Sequence, residues 1–167
     1  MPPPLSFRGE VVPSLAAHLK TESTAIGEPD MEWLPQIELE PGGSPIGGIS
    51  RIIEENETGS RTMLPFTIHV AIAWLSSGNP IEREREAGNW GNWLSSIAMS
   101  KLRRKGVGVT VEQNTAVLLE GVKFLREEFP TYETNQDGLC TCRIEQVYLW
   151  RGFEEVAGGI EDTYFGM

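Results

Sequence analysis

The sequence predicts an α+β domain: a mostly antiparallel sheet with one long hairpin, packed by an N-terminal helix and a central amphipathic helix. Three observations carry this. Two-residue alternation runs through "LPFTIHVAIAWL" and, on a predominantly apolar face, through "CTCRIEQVYLW", the period of a strand with one buried face. Between them, Trp90, Trp93, Leu94, Ile97, Ala98 and Leu102 recur at helical spacing. A chain of 167 residues has the length of one domain, assigned to residues 1–151, with 152–167 as an acidic, glycine-containing extension.

The first periodic segment, "FRGEVVPSLAAHLKTES", brings Phe7, Val11, Val12, Leu15, Ala16 and Leu19 to one helical face, with Pro13 starting or kinking a turn. After a Gly/Pro/Asp loop, "WLPQIELE" alternates Trp33, Pro35, Ile37 and Leu39 against Leu34, Gln36, Glu38 and Glu40, which predicts a strand with one mostly wet face. The loop "PGGSPIGG" resets the chain. A long hairpin is then expected over 49–74, turning near Gly59 and Ser60. In its second arm Leu64, Phe66, Ile68, Val70, Ile72 and Trp74 share the core side, opposite Pro65, Thr67, His69, Ala71 and Ala73.

The central helix has Glu82, Glu84 and Glu86 near its start, Arg103, Arg104 and Lys105 at its end and Gly106 beyond. That order suits the helix dipole and a glycine cap. Residues 107–130 mix β-branched and helix-forming types, so a short helical or irregular piece is expected around Glu112–Ala116, then a strand from about Leu118. Asp137-Gly138 marks a hairpin turn before the last strand.

Composition narrows the function. Fourteen Lys+Arg against 24 Asp+Glu give a formal charge of −10, which opposes sequence-independent attraction to phosphate backbones or anionic lipid. The longest apolar run, 63–75, is broken by Pro65, Thr67 and His69 and is shorter than the roughly 20 residues of a membrane helix. The N-terminus lacks a signal-peptide pattern, and two cysteines make no disulfide framework, so an intracellular protein is expected.

No motif for catalysis stands out. Cys140 and Cys142 point the same way on a predominantly apolar strand face with Ile144, Tyr148 and Trp150. They read as buried thiols rather than half of a zinc site, which would need His18 or His69. His69 lies opposite the core face of its own strand, and a disulfide between neighbours on one strand face is strained. The three glutamates read as a solvated helix start rather than a carboxylate pair, Trp90 and Trp93 as core rather than stacking surfaces, and "GGSPIGG" and "GVGV" as turns rather than phosphate loops. No catalytic, metal or cofactor residue is assigned. A candidate subunit interface is: Arg51, Glu54, Glu55 and Arg61 lie in the arms of a projecting hairpin, and Phe153, Tyr164 and Phe165 lie in the tail.

The order of elements, with "LPQIELE", "GSRTMLPFTIHVAIAW", the Trp-bearing helix and "DGLCTCRIEQVYLWRGF", resembles the tail-terminator proteins of long-tailed bacteriophages over about residues 5–152. The resemblance is one of architecture and strand pattern. It implies a helix-packed sheet, a homohexameric ring that caps the tail tube and joins it to the neck, and no enzymatic activity. The implied partners are further copies of the chain, the tail-tube protein and a neck or head-completion protein, with genomic DNA passing through without tight binding and the subunit residing in the virion after assembly in the host cytoplasm. Another head–tail connector is the nearest alternative reading; a small-ligand-binding or hydrolytic α/β domain built from dispersed acids and tryptophans is the alternative from a different class.

Overall fold

The computed structural model describes residues 7–36, 38–54, 64–105, 108–111, 114–117 and 122–152. In chain order the elements are α1 (Phe7–Ala25), β1 (Glu32–Leu34), β2 (Ile46–Glu54), β3 (Leu64–Ser76), α2 (Pro80–Asn92), a π-helical turn (Trp93–Ala98), α3 (Met99–Lys105), β4 (Gly108–Val111), β5 (Asn114–Val117), β6 (Lys123–Thr134) and β7 (Cys140–Gly152). The fold is α+β. A five-stranded sheet in the order β1-β2-β3-β7-β6 is antiparallel except for the β1–β2 pair, and β4 and β5 form a separate hairpin.

One face of the sheet makes the core. Phe66, Ile68, Val70, Ile72 and Trp74 of β3 meet Cys140, Cys142, Ile144, Tyr148 and Trp150 of β7 beneath Val11, Leu15 and Leu19 of α1 and Trp93, Leu94, Met99 and Leu102 of the second helical layer. The expected core side of β3 is therefore correct. Its other side is not wet, because Thr67, His69, Ala71 and Ala73 are buried as well. Leu39 and Ile46 pack on the two alanines there.

That second cluster explains the first correction. Only Trp33 and Leu34 of the anticipated "WLPQIELE" strand pair with the sheet, as the end of the three-residue β1. Pro35 has no N–H for a ladder, and Gln36 N–H turns back onto the Leu34 carbonyl at 2.9 Å. The chain then passes so close over Gly48 that a Cβ there would sit 2.6 Å from the Gln36 carbonyl oxygen. Trp33 and Leu39 end on opposite faces of the sheet, Trp33 covering Gly47 in the main core.

The central helix is continuous over 80–105 but is not one regular spiral. Asn79 caps its start, its side-chain oxygen accepting the Glu82 N–H at 2.9 Å, with Pro80 in the first turn. Within the π turn the Met99 N–H reaches back five residues to the Leu94 carbonyl. The extra residue turns Ile97 outward, 43% exposed, and brings Met99 inward. Ile97 was expected in the core, and this change of period is why it is absent. Arg103–Lys105 do end the helix, and Gly106 lies outside the described residues.

Two further corrections fall in 107–130. Of the irregular or helical piece expected at Glu112–Ala116, Asn114–Ala116 belong instead to β5, paired with β4 with Val109 opposite Ala116, since β-branched residues outweigh the helix formers there; Glu112 and Gln113 lie outside the described residues. A strand was expected from about Leu118; β6 begins at Lys123, and Leu118 itself lies outside the described residues. The β6–β7 turn is where Asp137-Gly138 placed it. Gly138 takes φ +81°, Asn135 exchanges backbone bonds with Leu139 and Gly138, and the Asn135 side chain accepts the N–H groups of Asp137 and Leu139. A left-handed glycine closing a three-residue loop is favoured chemistry for a hairpin. The turn of the β2–β3 hairpin, including Gly59 and Ser60, lies outside the described residues.

Candidate functional site

The residues nominated as an interface divide cleanly. Arg51 and Glu54 fall in the outer half of β2. Glu55, Arg61, Phe153, Tyr164 and Phe165 lie outside the described residues.

The cysteines sit where the alternation placed them. Both are fully buried on the core side of β7, with Cys142 opposite Trp74 on one side and Tyr132 on the other. Burial, then the neighbouring Cys140 thiol, pushes the Cys142 thiol up from 9.0 to about 12. A thiol held protonated is a poor nucleophile and a poor ligand. His69 is on the other face of the sheet, where its Nδ1–H donates to Glu145 at 2.9 Å and Arg143 approaches the second carboxylate oxygen at 3.7 Å. His18 is committed elsewhere, bonding the Ala98 carbonyl from Nε2 at 2.8 Å and so tying α1 to the π turn. Among the described residues no three His, Cys, Asp or Glu side chains gather as metal ligands would.

The tryptophans form a stack in the core. Trp33 lies 6.3 Å from Trp93, Trp93 meets Trp90 edge-on at 5.6 Å, and Trp90 lies 6.4 Å from Trp74. Trp33 donates to Ser23, and Trp74 donates to Glu86 at 2.9 Å. Glu84 accepts from Tyr132 at 2.7 Å, so two of the three helix-start glutamates fasten α2 to the sheet. Burial and then the Glu84 carboxylate push the Tyr132 phenol upward.

One polar cluster was missed by sequence reasoning. Gln146 is 1% exposed on the core face of β7. Its amide donates to the Gly91 carbonyl and to Glu127, both at 2.9 Å, and its oxygen accepts the Tyr148 hydroxyl. The hydrogen-bonding capacity of a buried amide is thereby used on three sides, which removes the cost of placing it there. A Cβ at Gly91 would lie 2.4 Å from the Glu127 carboxylate oxygen, so any larger residue there would have to shift that carboxylate away from Gln146. The available signal was Gln146 itself, the one polar residue at an even-numbered position between Cys140 and Trp150.

Both margins of the sheet have stretches paired on one side only among the described residues. β1 covers only Ile46–Gly48 of β2, so the outer side of Ile49–Glu54 has no strand partner among the described residues. β6 is the opposite edge and likewise has a partner on one side only among the described residues. Such edges are the chemistry of strand addition. No helix among the described residues is long and apolar enough to cross a membrane. No protein-family model and no curated protein matches the chain.

Proposed function

We propose that the protein is a structural subunit that assembles with copies of itself into a ring, as a tail terminator of a long-tailed bacteriophage that caps the tail tube and joins it to the neck. The observation that carries this reading is a helix-backed sheet with an unpaired backbone stretch at each of its two edges among the described residues. An isolated domain ordinarily protects such edges, and contacts between the subunits of a ring can cover them. The order of elements, an N-terminal helix, a long hairpin, a Trp-bearing helix and a closing hairpin, supports the same reading. So does the use of His18, His69, Glu84, Glu86 and Gln146 as fasteners between elements. The charge of −10 suits a channel along which DNA slides without being gripped.

The partners in this reading are further copies, the tail-tube protein and a neck or head-completion protein, in the virion. Native mass spectrometry and electron micrographs of the purified full chain, alone and with tail tubes, test it. Closed rings, six-fold and of tail width, are expected. Monomers alone in both preparations would overturn it. Rings that bind the portal side of heads but never tubes would favour another neck component.

A further inference from the structure

We infer that the β4–β5 hairpin of one copy enters the vacant outer lane of β2 in the next and pairs with Ile49–Glu54, so that each copy gives a hairpin and receives one. The inference rests on the ring reading and names the two surfaces that would build it.

The acceptor is defined by β1. β2 has nine residues, and β1 pairs with only three of them, Ile46–Gly48. The chain then leaves that lane at once, because Pro35 has no N–H for a ladder and Gln36 turns back onto the Leu34 carbonyl and over Gly48. Ile49–Glu54 are left without an outer partner among the described residues.

This gap is short and closed at one end. A long strand laid in it runs into β1, so β6, with 12 residues, cannot lie there in full. β6 also carries Pro130, two register slips and the charges of Lys123, Arg126, Glu127, Glu128 and Glu133, the devices by which an edge resists pairing. The occupant has to be short and without a proline.

β4 and β5 meet both conditions. Each has four residues, and among the described residues they pair only with each other, Val109 opposite Ala116 and Thr110 opposite Thr115. A two-stranded hairpin alone is marginal in water and gains stability from a third strand. Gly108–Val111 and Asn114–Val117 contain no charged residue and no proline, and their valines and threonines favour strands. A four-residue strand fits beside Ile49–Glu54 and stops short of β1. Within one copy the hairpin and β2 belong to separate sheets, so the pairing is between copies. Donor and acceptor are different surfaces, and a head-to-tail contact of that kind closes into a ring, where a self-matching contact stops at a dimer.

Two full-length variants test the pairing. In the first, a Gly/Ser segment of equal length replaces residues 108–117 and removes the donor. In the second, Arg51→Pro blocks the acceptor; Arg51 falls in the register slip between Ser50 and Ile53, outside the paired positions, so a proline there leaves the β2–β3 ladder in place. Each variant alone should be monomeric, its self-association weakened about a hundredfold or more. Their equimolar mixture should give a 1:1 dimer and nothing larger by native mass spectrometry, since one intact donor meets one intact acceptor. Rings from either variant alone, or a mixture that stays monomeric while both variants keep the wild-type urea midpoint, would overturn the pairing and leave the ring reading standing. Hydrogen exchange on the wild-type chain needs no variant: on assembly, amides of 49–54 and 108–117 should slow about tenfold or more while those of 123–134 do not change. Protection of 123–134 without the other two segments would also overturn the pairing. A wild-type chain that is monomeric both alone and with tail tubes removes the ring reading and this inference together.

Discussion

The two sides of β7 are held by different means. The even-numbered side, Cys140 to Trp150, is sealed under two helical layers, and its single amide is bonded to a helix carbonyl, a carboxylate and a phenol. On the odd-numbered side only Val147 is fully buried, while Thr141, Arg143, Glu145 and Leu149 keep partial contact with solvent and a hydrogen bond joins Glu145 to His69. The same alternation that builds a core on one side therefore leaves the other side with interactions that solvent weakens. Stability should be concentrated on the helix side, and substitutions on the two sides should separate by size.

The largest effect is expected at Trp150, which is wholly buried. Trp150→Ala should cost about 3–5 kcal/mol from lost burial and the cavity left behind. Leu149→Ala, one residue away on the half-buried side, should cost about 1 kcal/mol. Urea denaturation of the two variants measures the gap directly, and equal losses would erase the distinction between the sides.

Next is a pair of glycines on α2. Gly91→Ala must shift the Glu127 carboxylate from its place beside Gln146, so the loss of about 1–3 kcal/mol for an amide hydrogen left without its partner works against a helix-propensity gain of about 1 kcal/mol, for a net loss of up to about 2 kcal/mol. Gly88→Ala meets nothing within 4 Å and should stabilise by about 0.5–1 kcal/mol through helix propensity. Opposite signs for one substitution three residues apart would locate the constraint in the clamp rather than in the helix.

The cysteines sharpen the comparison through pH. The folded-state pKa of Cys142 is raised from 9.0 to about 12, so the unfolded thiol releases its proton first as pH rises. Stability is full below about 9 and should fall progressively between 9 and 12. Cys142→Ala should flatten that decline, and in the native wild-type chain at pH 8 a thiol reagent should react only as fast as the protein opens. Rapid labelling of the folded chain would show that the helix side is not sealed.

Much of this was legible in the sequence where one period governed a long run. β3 and β7 are each 13 residues, and their alternation fixed the core side, the direction of both cysteines and the separation of His69 from them. What was not legible depended on another part of the chain. Pro35 cut the expected strand at 33–40 to its first two residues, but that Leu39 would reach the far face depended on Ala71 and Ala73 being small enough to receive it. The exposure of Ile97 depended on a π turn whose preceding carbonyl at Gly91 is engaged by Gln146, 55 residues away. The candidate interface was read from hairpin and tail residues together, of which only Arg51 and Glu54 fall within the described residues.

The smallest expected effect is on the half-exposed side. Arg143 stands 3.7 Å from Glu145, and His69 bonds the other oxygen of that carboxylate at 2.9 Å. Removing the arginine leaves the carboxylate with its histidine and with access to water, so Arg143→Ala should cost under about 1 kcal/mol and lose even that in high salt. His69→Ala removes the shorter contact and opens space beside Thr67 and Val147, and should cost about 1–3 kcal/mol. The double variant decides whether the three groups act as a unit. A coupling energy above about 0.5 kcal/mol between positions 69 and 143 would mean that Glu145 transmits between them, whereas additive losses would reduce the strip to two separate contacts on the weaker side of the sheet.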